Sequence, residues 1–359
     1  MAGESIRAVP PNSLGQRIAR LIETQGPLSV AQFMTIALHD PAAGYYATHD
    51  PFGADFITAP EISQIFGELI GLWCVQTWLD QGGPVPARLV ELGPGRGTLM
   101  ADMLRAARLA PEFLERVEIV LVEASPALRQ VQRERLKDCG VRISWTERFT
   151  ADGRPFLLIA NEFFDALPVR QFVRAERGWC ERMVIVDGSG ALAFALSPVA
   201  STIDAEAPLG SVYEISPAAE AVAEEIGSAV ARAGGAALIV DYGYARGGFG
   251  ETLQAVGGHQ FKDLLETPGE IDLSAHVDFT RLATAAARGG ATTFGPVGQG
   301  TFLKALGIEA RAEKLAALNR AEAPGILQAV DRLTSSAQMG SLFRALAILP
   351  PNAPQPPGF

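Results

Sequence analysis

The sequence predicts an α/β protein: a doubly wound, Rossmann-like and mostly parallel seven-stranded sheet, with an N-terminal helical lobe and an antiparallel β insertion. Three observations point there. From residue 88 onward, short apolar strands alternate with amphipathic helices, the pattern of a parallel sheet covered on both faces. One of those strands runs through a glycine-rich turn straight into a helix. The chain has 359 residues, 48% of them hydrophobic, enough to bury a core without disulfides or structural metal.

The elements follow in order. Leu14, Ile18, Leu21 and Ile22 share one helical face, and Ser29 can cap a second helix running towards His39. Residues 40–60, rich in Gly, Pro, Asp and Tyr, are too long for an ordinary connector and read as a lid or binding loop. The apolar stretch 62–79 is interrupted by Gln64, Glu68 and Gln76, so it reads as a packed helix and not a membrane span. Residues 1–84 therefore form the expected helical lobe with its lid, and 85–349 the expected core. In the core, strands are expected at 88–92, 117–122, 141–145 and 156–160. Helices are expected at 98–109 and from the Ser125 cap to about 137. From about 169 to 216 the texture changes to apolar runs punctuated by turn residues such as Asp187-Gly188, the mark of antiparallel hairpins. A helix at 217–232 and a strand at 237–241 resume the pattern. A glycine-rich loop (243–258), a helix (277–288) and two last strands (291–294 and 342–349) complete it. The Pro-rich tail, 350–359, is expected to be poorly ordered. No internal repeat is present.

A net charge of −10 disfavours broad nucleic-acid binding and suits a basic protein partner. Cys74, Cys139 and Cys180 stand alone, as reduced thiols in a reducing compartment do. Four histidines and three cysteines without ligand spacing predict no metal site. Residues 1–14 lack the apolar core of a signal peptide, so a cytoplasmic protein is expected.

The chemistry concentrates at Glu91-Leu92-Gly93-Pro94-Gly95-Arg96-Gly97. Glycines at alternate positions let the backbone turn tightly and approach a ligand with no Cβ in the way. The N–H groups opening the next helix then face that ligand. The second strand ends at Val122-Glu123, which places a carboxylate for ribose hydroxyls; alternatively Glu123 is a helix-start charge beside the Ser125 cap. A nicotinamide dinucleotide is the natural rival ligand. Against it, the spacing is G-x-G-x-G and not G-x-G-x-x-G, and Glu91 would repel a pyrophosphate but counter a cationic amino group or a sulfonium.

Motifs outside the loop narrow the reading. Gly44-Tyr45-Tyr46 and the run from Thr58 to Glu68 precede the core. Asn161-Glu162-Phe163-Phe164-Asp165-Ala166-Leu167-Pro168-Val169 follows the fourth strand, and Asp272-Leu273-Ser274-Ala275-His276-Val277-Asp278-Phe279 lies late. This ordered set, from about Leu14 to Leu349, resembles the MidA-like family of class I methyltransferases. Its mitochondrial members are arginine methyltransferases that assist respiratory complex I assembly. The resemblance implies S-adenosyl-L-methionine as cofactor, with Glu91 helping to hold its methionine end. It implies a protein arginine as acceptor, on a complex I subunit and as symmetric dimethylarginine in the mitochondrial case. A small-molecule methyltransferase and a non-catalytic assembly chaperone built on the same fold are the alternatives.

Ligands of such sheets lie beyond the carboxyl ends of the strands, where strand order reverses. The glycine loop, Asn161-Glu162 and Asp241-Tyr242-Gly243 should meet there. A guanidinium is cationic at every working pH, so carboxylates must orient it. Glu162 is the first candidate, Asp165 the second, with Asn161 beside them; the alternative is that 161–165 only caps a turn. Tyr45, Tyr46, Glu61 and Gln64 are expected to approach the pocket from the N-terminal lobe, and His276 enters through its motif. Phe163, Phe164 and His259 read more simply as packing residues.

Overall fold

A computed structural model of the chain describes residues 13–49, 57–257 and 260–359. The backbone divides into two compact units, each assembled from three stretches of chain: 56–165, 219–247 and 276–359 in the larger, and 1–55, 166–218 and 248–275 in the smaller.

The larger unit is built on seven main strands, β1 (Ala87–Leu92), β2 (Val117–Val122), β3 (Ile143–Thr146), β4 (Phe156–Asn161), β5 (Gly235–Tyr244), β6 (Thr292–Gly298) and β7 (Phe343–Leu349), with a two-residue strand, Val277–Asp278, pairing parallel with the end of β5. Their order across the sheet is β6-β7-β5-β4-β1-β2-β3. The first five run parallel, and β7 lies antiparallel between β5 and β6. The doubly wound α/β expectation therefore holds. Strand order reverses between β1 and β4, so a crevice opens at their carboxyl ends. Every residue of β1 and β4 is buried, which is why both read as unbroken apolar runs and not as alternation.

The helix α1 (Gln64–Asp80) belongs to this sheet-bearing unit and is buried on nearly all sides. It lies against α2 (Thr98–Ala107) so tightly that a Cβ at Gly71 would stand 2.6 Å from the Met103 carbonyl oxygen. Burial on nearly all sides removes the one-sided apolar stripe, hence the apolar residues all round this helix, broken only by polar positions such as Gln64, Glu68 and Gln76. No helix among the described residues is long and apolar enough to cross a membrane. The helix α3 (Pro126–Leu136) begins at the expected cap, with the Leu128 amide donating to Ser125 Oγ at 3.4 Å.

The tail departs from expectation. The Trp73 indole N–H donates to the Pro357 carbonyl at 3.1 Å, and the Phe359 ring packs on Phe302 with centroids 5.2 Å apart. The segment turns at 351–352 and again at 357–358 and finds its own partners, so this tail is packed and not loose.

In the smaller unit, Ser29 and Gln32 form a reciprocal capping box at the start of Val30–His39. The expected hairpins appear as strands Arg170–Ala175, Gly178–Val186 and Leu192–Ala200, joined to Val212–Ile215 and Leu28–Ser29. Asp187 Oδ1 accepts the Ser189 and Ala191 amides and so closes the predicted turn. The glycine-rich loop hides a strand, Gln254–Gly257, which pairs antiparallel with both Gln260–Lys262 and Asp272–Ser274. Of the predicted lid, Tyr45–Thr48 is a single helical turn, and 50–56 lie outside the described residues, as does His259.

Candidate functional site

The glycine turn has the backbone its sequence demands. Gly93, Gly95 and Gly97 all take positive φ (60°, 51° and 78°), the left-handed region that side chains disfavour. Gly93 is exposed, and a Cβ there would come within 3.1 Å of the Phe163 ring. The turn delivers the chain into α2, whose first N–H groups have no partner within the helix.

Glu91, two residues before the turn, is 3% exposed. Its Oε2 is fully buried and has no hydrogen-bond partner among the described residues. Burial, aided by the nearby Glu123 charge, pushes its carboxyl up to about 8 from the usual 4.5. A carboxylate so placed is costly unless a cation or a donor meets it.

Glu123, at the end of β2, is half-buried, and burial raises its pKa against the pull of its hydrogen bonds. One oxygen accepts the Ser125 amide at 2.8 Å, and the other accepts Gln132 Nε2 at 3.3 Å. Both readings of Glu123 thus remain physically available: it braces the start of α3 and also presents a carboxylate at the strand's end. Gln132 was missed in the sequence. Fully buried, it donates to the Gly95 carbonyl at 2.7 Å and accepts from the Trp145 indole at 2.8 Å, so one amide ties the glycine turn to Glu123 and β3. Its only signal was a polar residue between Leu128 and Leu136, on the buried face of α3.

Beyond β4 the chain turns sharply. Glu162 takes φ 49°, one of two non-glycine residues with positive φ among those described. Its Oε1 accepts the Ala59 amide at 2.8 Å and Asn161 Nδ2 at 3.1 Å. Burial, and then the Asp165 charge, push its carboxyl up to about 7 against those two bonds. Asn161 is buried with its Oδ1 unpaired among the described residues. Asp241, wholly buried on β5, accepts the amides of Phe163, Phe164 and Asp165 through Oδ2. The 161–165 turn, β5 and the glycine loop therefore do meet, as expected, with the Phe163 ring set against Gly93.

The other candidates scatter. Glu61 Oε1 accepts the Thr98 hydroxyl at 2.5 Å, at the first residue of α2. Gln64 is an exposed first residue of α1. His276 lies edge-on to Tyr242, ring centroids 5.2 Å apart. Tyr45 and Tyr46 belong to the smaller unit. There Tyr45 is fully buried and stacked on His49, and Tyr46 donates its hydroxyl to Asp272 at 3.0 Å. Among the described residues, no three His, Cys, Asp or Glu side chains gather to hold a metal.

The site thus offers a glycine turn exposed at Gly93, a helix start, and, at Glu91 and Glu162, carboxyls that burial pushes up towards neutrality. That donor set fits a ligand carrying positive charge close to Glu91 and hydroxyls close to Glu123; it does not fit a pyrophosphate.

Comparison with known proteins bears on what that ligand is. A family model described as "Putative S-adenosyl-L-methionine-dependent methyltransferase" matches residues 69–297. The Danio rerio protein arginine methyltransferase NDUFAF7, mitochondrial, is 38% identical over 94% of this chain and 87% of its own length. The Homo sapiens protein of the same name is 37% identical over 92% of this chain and 81% of its own. A crystal structure of a Burkholderia thailandensis protein bound to S-adenosyl-homocysteine superposes with a TM-score of 0.84 at 29% identity, covering 99% of this chain and 97% of that one. These relatives overturn the cytoplasmic expectation, because the curated ones are named as mitochondrial. The expectation rested on the lack of an apolar signal core, which argues only against secretion; organelle-targeting segments are amphipathic and rich in Arg instead.

Proposed function

The chain belongs to the family of S-adenosyl-L-methionine-dependent methyltransferases, and from that premise we propose that it methylates an arginine of a protein substrate. The resemblance narrows the acceptor further, to a respiratory complex I subunit that would carry symmetric dimethylarginine. When bound, S-adenosyl-L-methionine supplies a methyl group made electrophilic by its sulfonium. This chain's residues do the rest. The 93–97 backbone and the start of α2 cradle the cofactor, Glu91 counters its positive end, and Glu123 takes the ribose hydroxyls. Glu162 pairs with the acceptor guanidinium, aided by Asp165, and so aims one nitrogen along the line of attack.

The observation that carries this reading is Glu162. It is a half-buried carboxyl held in a left-handed turn, one residue from the ring that abuts Gly93, and poised at about 7. A cationic acceptor relieves the cost of ionising it, whereas a neutral acceptor would not. The relatives' printed names, protein arginine methyltransferase, support the same acceptor.

The test is Glu162→Gln, which keeps size and hydrogen bonding but removes the charge. Cofactor affinity by calorimetry should survive, while single-turnover methylation falls about 100-fold or more. Unchanged turnover with a lower melting temperature would mean that Glu162 only shapes the turn. Labelled cofactor on a cell extract separates the acceptor classes: a protein band carrying label supports this reading, and label confined to small molecules refutes it.

A further inference from the structure

We propose that Asp241 is a positioning residue: its carboxylate holds the 162–165 turn, and through the turn the Glu162 side chain, in the working conformation. The proposal rests on the reading of Glu162 given above.

The geometry is specific. Asp241 is 0% exposed and sits in β5 just after Val240, the register partner of Asn161 on β4. Its Oδ2 receives three successive backbone amides: Phe163 at 3.1 Å, Phe164 at 2.9 Å and Asp165 at 3.2 Å. Its Oδ1 receives the Tyr242 amide at 2.9 Å. The Glu162 amide closes the set by donating to the Val240 carbonyl at 2.9 Å. Consecutive N–H groups converging on one oxygen make an anion nest, here filled by the protein's own carboxylate. The nest forms only if residue 162 turns left-handed, which an L-residue with a side chain resists. Asp241 supplies what offsets that strain.

The arrangement is costly in another way. Burial, together with the Asp165 and Glu162 charges, raises the Asp241 pKa well above the ordinary carboxylate value, and four amide bonds oppose the rise. A neutral side chain would fill the same space more cheaply, so the acid is explained by what it orients. Asparagine cannot replace it. An amide has one oxygen, so either the nest or the Tyr242 amide would face an NH2 group.

The test is a double-mutant cycle on the full chain: Asp241→Asn, Glu162→Gln and the pair. The readouts are methylation of total cell-extract protein with radiolabelled S-adenosyl-L-methionine, cofactor affinity, and amide exchange at 163–165. Asp241→Asn should slow methylation at least tenfold, leave cofactor affinity within twofold, and speed exchange at those three amides. In the Glu162→Gln background the same change should cost less than twofold, because the side chain being positioned is already disabled. If Glu162→Gln is impaired and the two losses multiply, Asp241 acts independently of Glu162; the proposal is overturned while the clamp stands. If Glu162→Gln alone turns over normally, the clamp fails, and this proposal fails with it. The wild type gives a reading without any variant. Its 163–165 amides should exchange as slowly as those of β4, and exchange at the rate of an open turn would overturn the proposal.

Discussion

Glu91 makes a prediction that needs no knowledge of the acceptor. With its carboxyl pushed up to about 8, roughly nine-tenths of free protein molecules carry it protonated at pH 7. A cationic ligand placed beside it favours the ionised form, so cofactor binding at pH 7 should expel up to about 0.9 proton. The same linkage tightens binding by roughly tenfold per pH unit well below 8, or about 50-fold between pH 6 and pH 8. Calorimetry at pH 7 in two buffers of different ionisation enthalpy reads the proton count directly. The ligand's own amino group titrates in the same range, so Glu91→Gln is the control, and the excess of wild type over variant belongs to Glu91. Stability gives a second reading. The folded pKa is raised above the unfolded value, so this group's contribution is present in full below about 4.5 and is lost as pH rises towards 8. The melting temperature of the ligand-free protein should therefore fall over that window relative to Glu91→Gln, and saturating cofactor should narrow the difference. Equal proton release and equal pH dependence in both proteins would refute the assignment of Glu91 to the cationic end of the ligand.

Three further outcomes are expected. Gly93→Val should abolish cofactor binding in a protein that still folds, since it adds left-handed strain of about 1–2 kcal/mol and crowds Phe163; calorimetry and a melt measure both. Glu123→Ala should weaken cofactor binding by about 1–3 kcal/mol, whereas wild-type affinity with a lowered melting temperature would leave Glu123 as the brace of α3 alone. For the Glu162 carboxyl, kcat/KM should rise with pH and level off above about 7, because only the ionised form pairs with a guanidinium, and this limb should vanish in Glu162→Gln.

How much of this was legible depended on the kind of information each feature carries. The glycine turn could be read directly, because left-handed backbone at 93, 95 and 97 tolerates almost no other residue. The strands of the core were plain for a similar reason: burial on both faces writes a continuous apolar run. Gln132 and Asp241 were not readable in their roles. Glutamine on a helix and aspartate at a strand end are common, and only the folded chain shows which amides and carbonyls they reach. The strands around 254–262 were hidden by brevity and exposure, since Gln260–Lys262 buries nothing and so leaves no pattern. The partition of the chain was equally silent. Periodicity reports that a face is buried, not which distant segment buries it, so nothing marked α1 as a member of the sheet-bearing unit or 248–275 as a member of the other.

The position of β7 has a consequence for how the polypeptide is made. Residues 343–349 form an interior strand, wedged between β5 and β6, although they are translated after every other strand of the sheet. Until they leave the ribosome, β5 presents an open edge along Ala237–Tyr242, the stretch that β7 will pair. The smaller unit closes sooner, but it too waits for residues up to 275. Nascent chains of this protein therefore stay incomplete through nearly the whole of synthesis, with a long apolar strand edge available to wrong partners. A stop codon a few residues before 343 would not yield a trimmed enzyme; it would yield an unsealed sheet and a substrate for chaperones and proteases.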